Sequence, residues 1–330
     1  MATCRKRVSD SGLQVIDLEN DVMSVSLVPE AGGKITEIID KRSGRNWLWQ
    51  NPQLPIRRAA DDPGYDRGLD SGGWDEILFS VEPCRIRLNS GEEYSIPDHG
   101  DLVGRAWTLE GATVSKSGNA ICDLSANGNV LPYRWRRVAS LHPEKPSLTL
   151  IYALENTGGN KLPFLWCAHP LLAVEDGMRI VLAASQKFLI DHATGLSIES
   201  SNSDYAWPML PLSDGETINL ATCFDTVPAE QPFAAKIFVR SGTPGVIGVH
   251  TAENKECLTI QYDQNKSPWM GLWINKHGWS GNDSAPYLNL GIEPSTAPCD
   301  NLANAMAQGW AEQIAPGELR TWSLDIALPA

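Results

Sequence analysis

Apolar side chains recur at every second position wherever this chain shows a period. Met23, Val25 and Leu27 alternate with Ser24 and Ser26, Leu258, Ile260 and Tyr262 with Thr259 and Gln261, and Trp322, Leu324, Ile326 and Leu328 mark one face of the last run. Successive side chains of an extended strand point to opposite faces, so this period predicts strands with one face buried and one face wet. Turn clusters rich in Gly, Asn and Ser separate the runs, at residues 30–33, 42–46, 89–93, 125–129, 155–160 and 240–245. Short antiparallel strands punctuated in this way define an all-β sandwich. Helix signals are few. The strongest covers Asn301 to Gln308, with Asp300 as the expected N-cap. No linker, low-complexity tract or internal repeat divides the 330 residues, so 1–330 is read as a single β-sandwich domain.

Charge and cysteine usage narrow the partners. A formal net charge of -13 disfavours nucleic acid and anionic membrane surfaces, both of which reward a basic patch. A neutral or cationic small molecule is the expected ligand, bound by a monomer or homodimer. Twelve tryptophans are ordinary core filling for the most part, although an indole face also suits the C–H surface of a sugar. The seven cysteines are scattered, with no C-x-x-C pair and no Cys/His cluster at metal spacing, and read as free thiols of a reducing, cytoplasmic compartment. The basic residues near the N-terminus are not followed by the apolar stretch of a secretory signal. No apolar run approaches the roughly 18 residues of a membrane span. Without a metal-ligand cluster or a Gly-rich phosphate loop, neither metal nor organic cofactor is expected.

Three reactive side chains stand where strand-like runs break. Glu293 precedes Pro294 in YLNLGIEPSTAPCDNL, His169 precedes Pro170 in LPFLWCAHP, and His99 lies between Pro97 and Gly100 in SIPDHGDLVGRAW. All three are expected at the rim of a sheet. A carboxylate and two imidazoles held so can take a proton from one oxygen of a small molecule and return one to another.

Five segments, in order and spread over nearly the whole chain, resemble those of the aldose 1-epimerase (galactose mutarotase) family. They are GGWDEILFSV (72–81), PDHGDLVGRAW (97–107), WCAHP (166–170), GLWINKHG (271–278) and LGIEPSTAPCDNL (290–302). The resemblance implies a β-supersandwich with few short helices and an isomerase that interconverts the α and β anomers of an aldose. It places His99, His169 and Glu293 at the family's two active-site histidines and its catalytic glutamate. Two departures mark an outlying branch. Pro170, Leu171 and Leu172 follow His169 where the family usually has an aromatic residue two positions on, and the GGWDE segment differs from that of the galactose enzymes.

On this reading Glu293 takes the proton of the anomeric O1 hydroxyl. His169 protonates the ring oxygen because imidazole titrates in the right range, and His99 orients the sugar and shares the acid role. Adjacent strand residues face opposite ways, so only one of Asp75 and Glu76 can meet the cleft, and Asp75 is the expected hydroxyl acceptor. Trp74 and Trp273 are the expected stacking platforms, with Arg67 and Arg105 as further hydroxyl ligands. Arg67, Arg105, Arg134, Arg136, Arg137 and Lys276 are the cations from which a phosphate site could be built, although alternation splits Arg137 from Arg134 and Arg136. His142, His192, His250 and His277 show no partner pattern. The alternative function is a non-catalytic carbohydrate-binding protein on the same fold, which would not need an acid and a base in register. A glycoside hydrolase is disfavoured because hydrolysis uses two carboxylates flanking the bond, and here one accompanies two histidines.

Overall fold

Strands form where the alternation predicts them, among them Met23–Val28, Cys257–Tyr262 and Leu319–Ala327. The computed structural model describes residues 1–59, 64–182, 186–198, 204–228, 230–253, 255–281 and 285–329, with the side chains of Asp66 and Arg67 outside that description. A 12-stranded sheet runs in the order Thr3–Val8, Gln14–Glu19, Met23–Val28, Lys34–Asp40, Trp74–Leu78, Trp166–Leu172, Leu288–Ser295, Trp269–Lys276, Phe233–Arg240, Lys187–Thr194 and Tyr205–Ala206, with Arg45–Asn46 paired beside Lys34–Asp40. An 8-stranded sheet has the order Arg179–Val181, Gly245–His250, Cys257–Tyr262, Leu319–Ala327, Ser147–Asn156, Tyr133–Leu141, Ala120–Asn127 and Thr108–Val114. Neighbouring strands in both sheets are antiparallel.

Alternation decides which side chains meet between the sheets. Tyr152 and Trp322 of the smaller sheet pack on Trp166 of the larger one, and Trp135 packs on Tyr152 and Trp322, with ring centroids 4.9 to 5.7 Å apart. They belong to one apolar cluster drawn from both sheets, in which each fully buried large side chain contributes about 1.5–3 kcal/mol. Most tryptophans are such filling, as composition alone predicts. All seven cysteines are free.

The helix after the last central strand is Leu302–Gln308, and its cap is Asn301, not Asp300. The Asn301 side chain accepts from Asn304 N at 3.2 Å, and Gly309 closes the other end in a left-handed conformation with φ of 72°. That one-residue shift releases the Asp300 carboxylate from capping. A second correction concerns the prolines. The strands holding His169 and Glu293 do not end there but run on to Leu172 and Ser295. Pairs Cys167–Ser295 and Leu171–Gly291 set Pro170 and Pro294 in the intervening stretch, where the ladder is open and a missing N–H costs nothing.

Candidate active site

The same register that opens the ladder sets His169 opposite Glu293, and on its other side His169 pairs with Asp75. Glu293 in turn pairs with Gly271. Alternation sends Trp166, Ile292 and Ile274 into the core between the sheets, so His169, Glu293 and Trp273 emerge on the opposite face of the larger sheet, near its middle. There they line a cavity of about 300 Å³, at the lower end of the range for small-molecule sites. Tyr65, Asp70, Asp98, His99, His192, Lys236, Trp279, Tyr287 and Asp300 line it with them.

Glu293 is fully buried. Its Oε2 is bonded by the Lys236 ammonium, while Oε1 has no hydrogen-bond partner among the described residues and lies 3.8 Å from His169 Nε2. Two glycines make room for this rotamer. A Cβ at Gly291 would come within 2.6 Å of Oε1, and one at Gly271 within 3.2 Å of the Glu293 Cβ. Lys236 also lies 3.3 Å from Asp300 Oδ1, so one buried ammonium holds two buried carboxylates. Burial alone would lower the Lys236 pKa, yet Asp300, Glu293 and Cys167 outweigh it and raise it. Asp300 is pushed up to about 6, by burial first and then by Glu293 and Asp191 against the opposing pull of Lys236.

His99 sits in the left-handed region at φ 56°, uncommon for a side chain with a Cβ. Its N–H donates to Val81 O at 2.7 Å, and its ring stacks on Tyr65 with centroids 3.5 Å apart. Nδ1 lies 2.9 Å from Asp98 Oδ1; because a carboxylate only accepts, Nδ1 carries the proton and Nε2 is left for a ligand. Burial raises the Asp98 pKa, but the hydrogen bond and charge of His99, with the N–H of Tyr65, outweigh it and hold the carboxyl below its usual range. His169 is pushed well below the ordinary histidine pKa, by burial first and then by His99, Lys236 and Lys34. Burial and those positive neighbours favour its neutral form in the empty cavity.

Asp75 shares the face of His169 but does not reach the cavity. Lys34 Nζ lies 2.5 Å from its Oδ2, and Tyr65 OH donates to the same oxygen at 3.4 Å. It supports the floor under Tyr65 instead of meeting a ligand. Trp74 points the other way, into the core, and is 1% exposed. Arg105 pairs with Asp101 at 2.8 Å and borders a neighbouring cavity. Trp273 does line the site, flanked by Trp279 with centroids at 5.7 Å. Arg67 lies outside the described side chains. Of the other cations, Arg134 and Arg136 are exposed in ion pairs with Glu155 and Asp123. Arg137 is buried against Glu76, and Lys276 bonds the carbonyls of Cys223 and Val227. None of these four lines the cavity.

Several lining residues escaped the sequence reading. Lys236 carried a usable signal, a lone ammonium in the apolar strand FAAKIFVR. His192 has no partner pattern in the sequence, yet its ring sits 5.6 Å from that of Trp273. Tyr287, whose hydroxyl donates to Asp70 at 2.7 Å, and Trp279 come from a segment with no local pattern. Asp300 corrects the count of one carboxylate beside two histidines, although both carboxylates stand on the same ammonium instead of on opposite sides of a bond. Among the described residues, no group of three or more His, Cys, Asp or Glu side chains is placed to hold a metal ion.

No protein-family model matches the chain, and no curated protein matches its sequence. Solved structures match its fold. A galactose mutarotase-like protein of Clostridium acetobutylicum superposes with a TM-score of 0.69 at 12% identity, covering 99% of this chain and 98% of its own. A candidate aldose 1-epimerase of Klebsiella pneumoniae gives 0.69 at 13%, covering 98% and 83%. A galactose mutarotase-related enzyme of Lactobacillus acidophilus gives 0.63 at 13%, covering 96% and 97%. The chain is thus an all-β protein of galactose mutarotase-like fold.

Proposed function

We propose that this protein is an aldose 1-epimerase that interconverts the α and β anomers of an uncharged sugar. One observation carries the reading: in a monosaccharide-sized cavity, the unpartnered Oε1 of Glu293 lies 3.8 Å from His169 Nε2. A hydroxyl seated on the cavity side of this pair can hydrogen-bond to both. Glu293 Oε1 accepts the O1 proton, C1=O1 forms, and the C1–O5 bond breaks as O5 takes up a proton from the imidazole side of the cavity, where His169 acts as the acid with His99 sharing the role. His99, stacked on Tyr65 and edge-on to His169, orients the ring for that transfer. Rotation about C1–C2 and the same transfers in reverse give the other anomer. Trp273 and Trp279 supply an apolar wall for the C–H face of the ring.

The charge of the lining supports a free sugar over a phosphorylated one. Asp70, Glu82, Asp98, Glu293 and Asp300 stand there against the one ammonium of Lys236. The segments outside the description contain no Lys or Arg, which leaves Arg67 as the cation not placed. The test is proton NMR of freshly dissolved α-anomers of neutral aldoses with catalytic amounts of protein. Accelerated equilibration of at least one sugar is expected, whereas binding without acceleration would assign the cavity to non-catalytic carbohydrate recognition.

A further inference from the structure

A buried carboxylate serves as a base only while it carries its charge, and burial by itself favours the protonated form. Glu293 is fully buried, so a neighbour must hold that charge in place. Lys236 is the one Lys or Arg among the described residues that line the cavity. The strand register shows how it reaches the carboxylate. Phe238, Gly271 and Glu293 form one row across three neighbouring strands, and Lys236, Trp273 and Gly291 form the next. Lys236 therefore reaches Glu293 on a diagonal over the middle strand, between Trp273 and Gly271, and the bare Cα of Gly271 leaves that path open. A Cβ there would stand 3.2 Å from the Glu293 Cβ and 3.3 Å from the Phe238 ring. The same ring lies under the ammonium, its centroid 5.4 Å from Nζ. Asp300 is the second carboxylate on the ammonium, at 3.3 Å, because Ser80 Oγ and the Asn301 side chain serve the helix entrance in its stead.

We infer that Lys236 is the positioning residue of the base: its ammonium keeps the buried Glu293 carboxylate charged and, by taking Oε2, turns Oε1 toward the sugar. This rests on the anomerase reading above and names what makes its base competent. A neutral donor could aim the carboxylate, but only a cation also offsets the hydration lost on burial. The other titratable groups around Glu293 do not supply a fixed positive charge. Asp300 is itself a carboxyl, and the Cys167 thiol, pushed well above its ordinary range by burial, is neutral. His169 on Trp166–Leu172 lies 3.8 Å away, but as the acid its charge comes and goes with the proton it transfers. That leaves Lys236 on Phe233–Arg240. Removing this cation removes the attraction that favours the charged form, so the Glu293 carboxyl would ionise only at higher pH.

Anomerisation by the wild type and Lys236→Met, measured from pH 5 to 9, tests this directly. Methionine keeps most of the stem and removes the charge. Near pH 6 the variant should lose kcat by on the order of 10², the contribution of a positioned base, with KM within about threefold of wild type. Its rate should then recover as pH rises, the ascending limb lying about one pH unit or more above that of the wild type. A lysine that only braced the fold would lower the rate by the same factor at every pH. A kcat within about threefold of wild type, or a loss with the limb unmoved, overturns the role of Lys236 and leaves the anomerase reading standing. A wild type that accelerates no aldose overturns both. If Lys236→Met does not fold, the infrared difference between wild type and Glu293→Gln decides the matter. A carboxylate band near pH 6 supports the hold of the ammonium on the charge, and a protonated-carboxyl band there refutes it.

Discussion

Two buried carboxylates, Glu76 and Glu293, sit on neighbouring parts of the same sheet and are used in opposite ways. Glu76 lies between the sheets with every oxygen committed. Arg137 Nη1 and Tyr152 OH donate to Oε1 at 3.1 and 2.9 Å, and Trp166 Nε1 donates to Oε2 at 3.2 Å. Glu293, on the other face, gives one oxygen to Lys236 and leaves the other bare beside His169. Leaving a buried acceptor unpaired costs about 1–3 kcal/mol, and a protein keeps that cost where a ligand will relieve it. Burial is common to both carboxylates, and what sets Glu293 apart is a bare oxygen on a residue that lines the cavity.

The largest expected effect breaks the comparison on the functional side. Glu293→Gln keeps the size of the side chain and removes the base, so kcat should fall by on the order of 10² or more while sugar binding survives. Steady-state anomerisation with a parallel binding titration checks it. On the structural side, Arg137→Ala strands Glu76 without its cation and should cost about 3–5 kcal/mol of stability in denaturant unfolding, with little change in KM for the molecules that remain folded.

Glu76 also makes a prediction about pH. Burial first, offset in part by Arg137, Tyr152 and Trp166, raises its pKa from 4.5 to about 7. A carboxyl raised in the folded state favours folding below its unfolded pKa and loses that contribution as pH rises. Stability should therefore decline between about 4.5 and 7 in a component that Glu76→Gln removes, as thermal unfolding across that range will show. Smaller effects belong to the rim. Trp273→Ala should raise KM by several fold with kcat nearly unchanged, since an aromatic contact is worth about 0.5–1.5 kcal/mol. Arg105→Met should leave both constants within about twofold, because its half-exposed pair with Asp101 borders a different cavity.

The two carboxylates also mark what the sequence made legible. The sheets followed from alternation alone, since burying one face of each strand leaves few alternatives. Glu293, His169 and His99 were legible as a set from the segments around them, and the fold brings all three to one cavity. Side-chain cover was not legible. Asp75 emerges on the expected face, but Lys34 and Tyr65, 41 and 10 residues away in sequence, close over it. Asp300 was hidden because an Asp before a helix reads as a cap, and only the placement of Asn301 and Ser80 shows it relieved of that task. The strands' passage through Pro170 and Pro294 was equally hidden, because it depends on two prolines in different strands falling in one gap of the ladder.

Saturation transfer between the α and β anomeric protons of a neutral aldose at equilibrium measures the central claim without any coupled reaction. With wild-type protein, irradiating one anomeric resonance should attenuate the other, and with Glu293→Gln the transfer should return to the level of buffer alone. Undiminished transfer in Glu293→Gln, or none with wild type for any neutral aldose, would contradict the account.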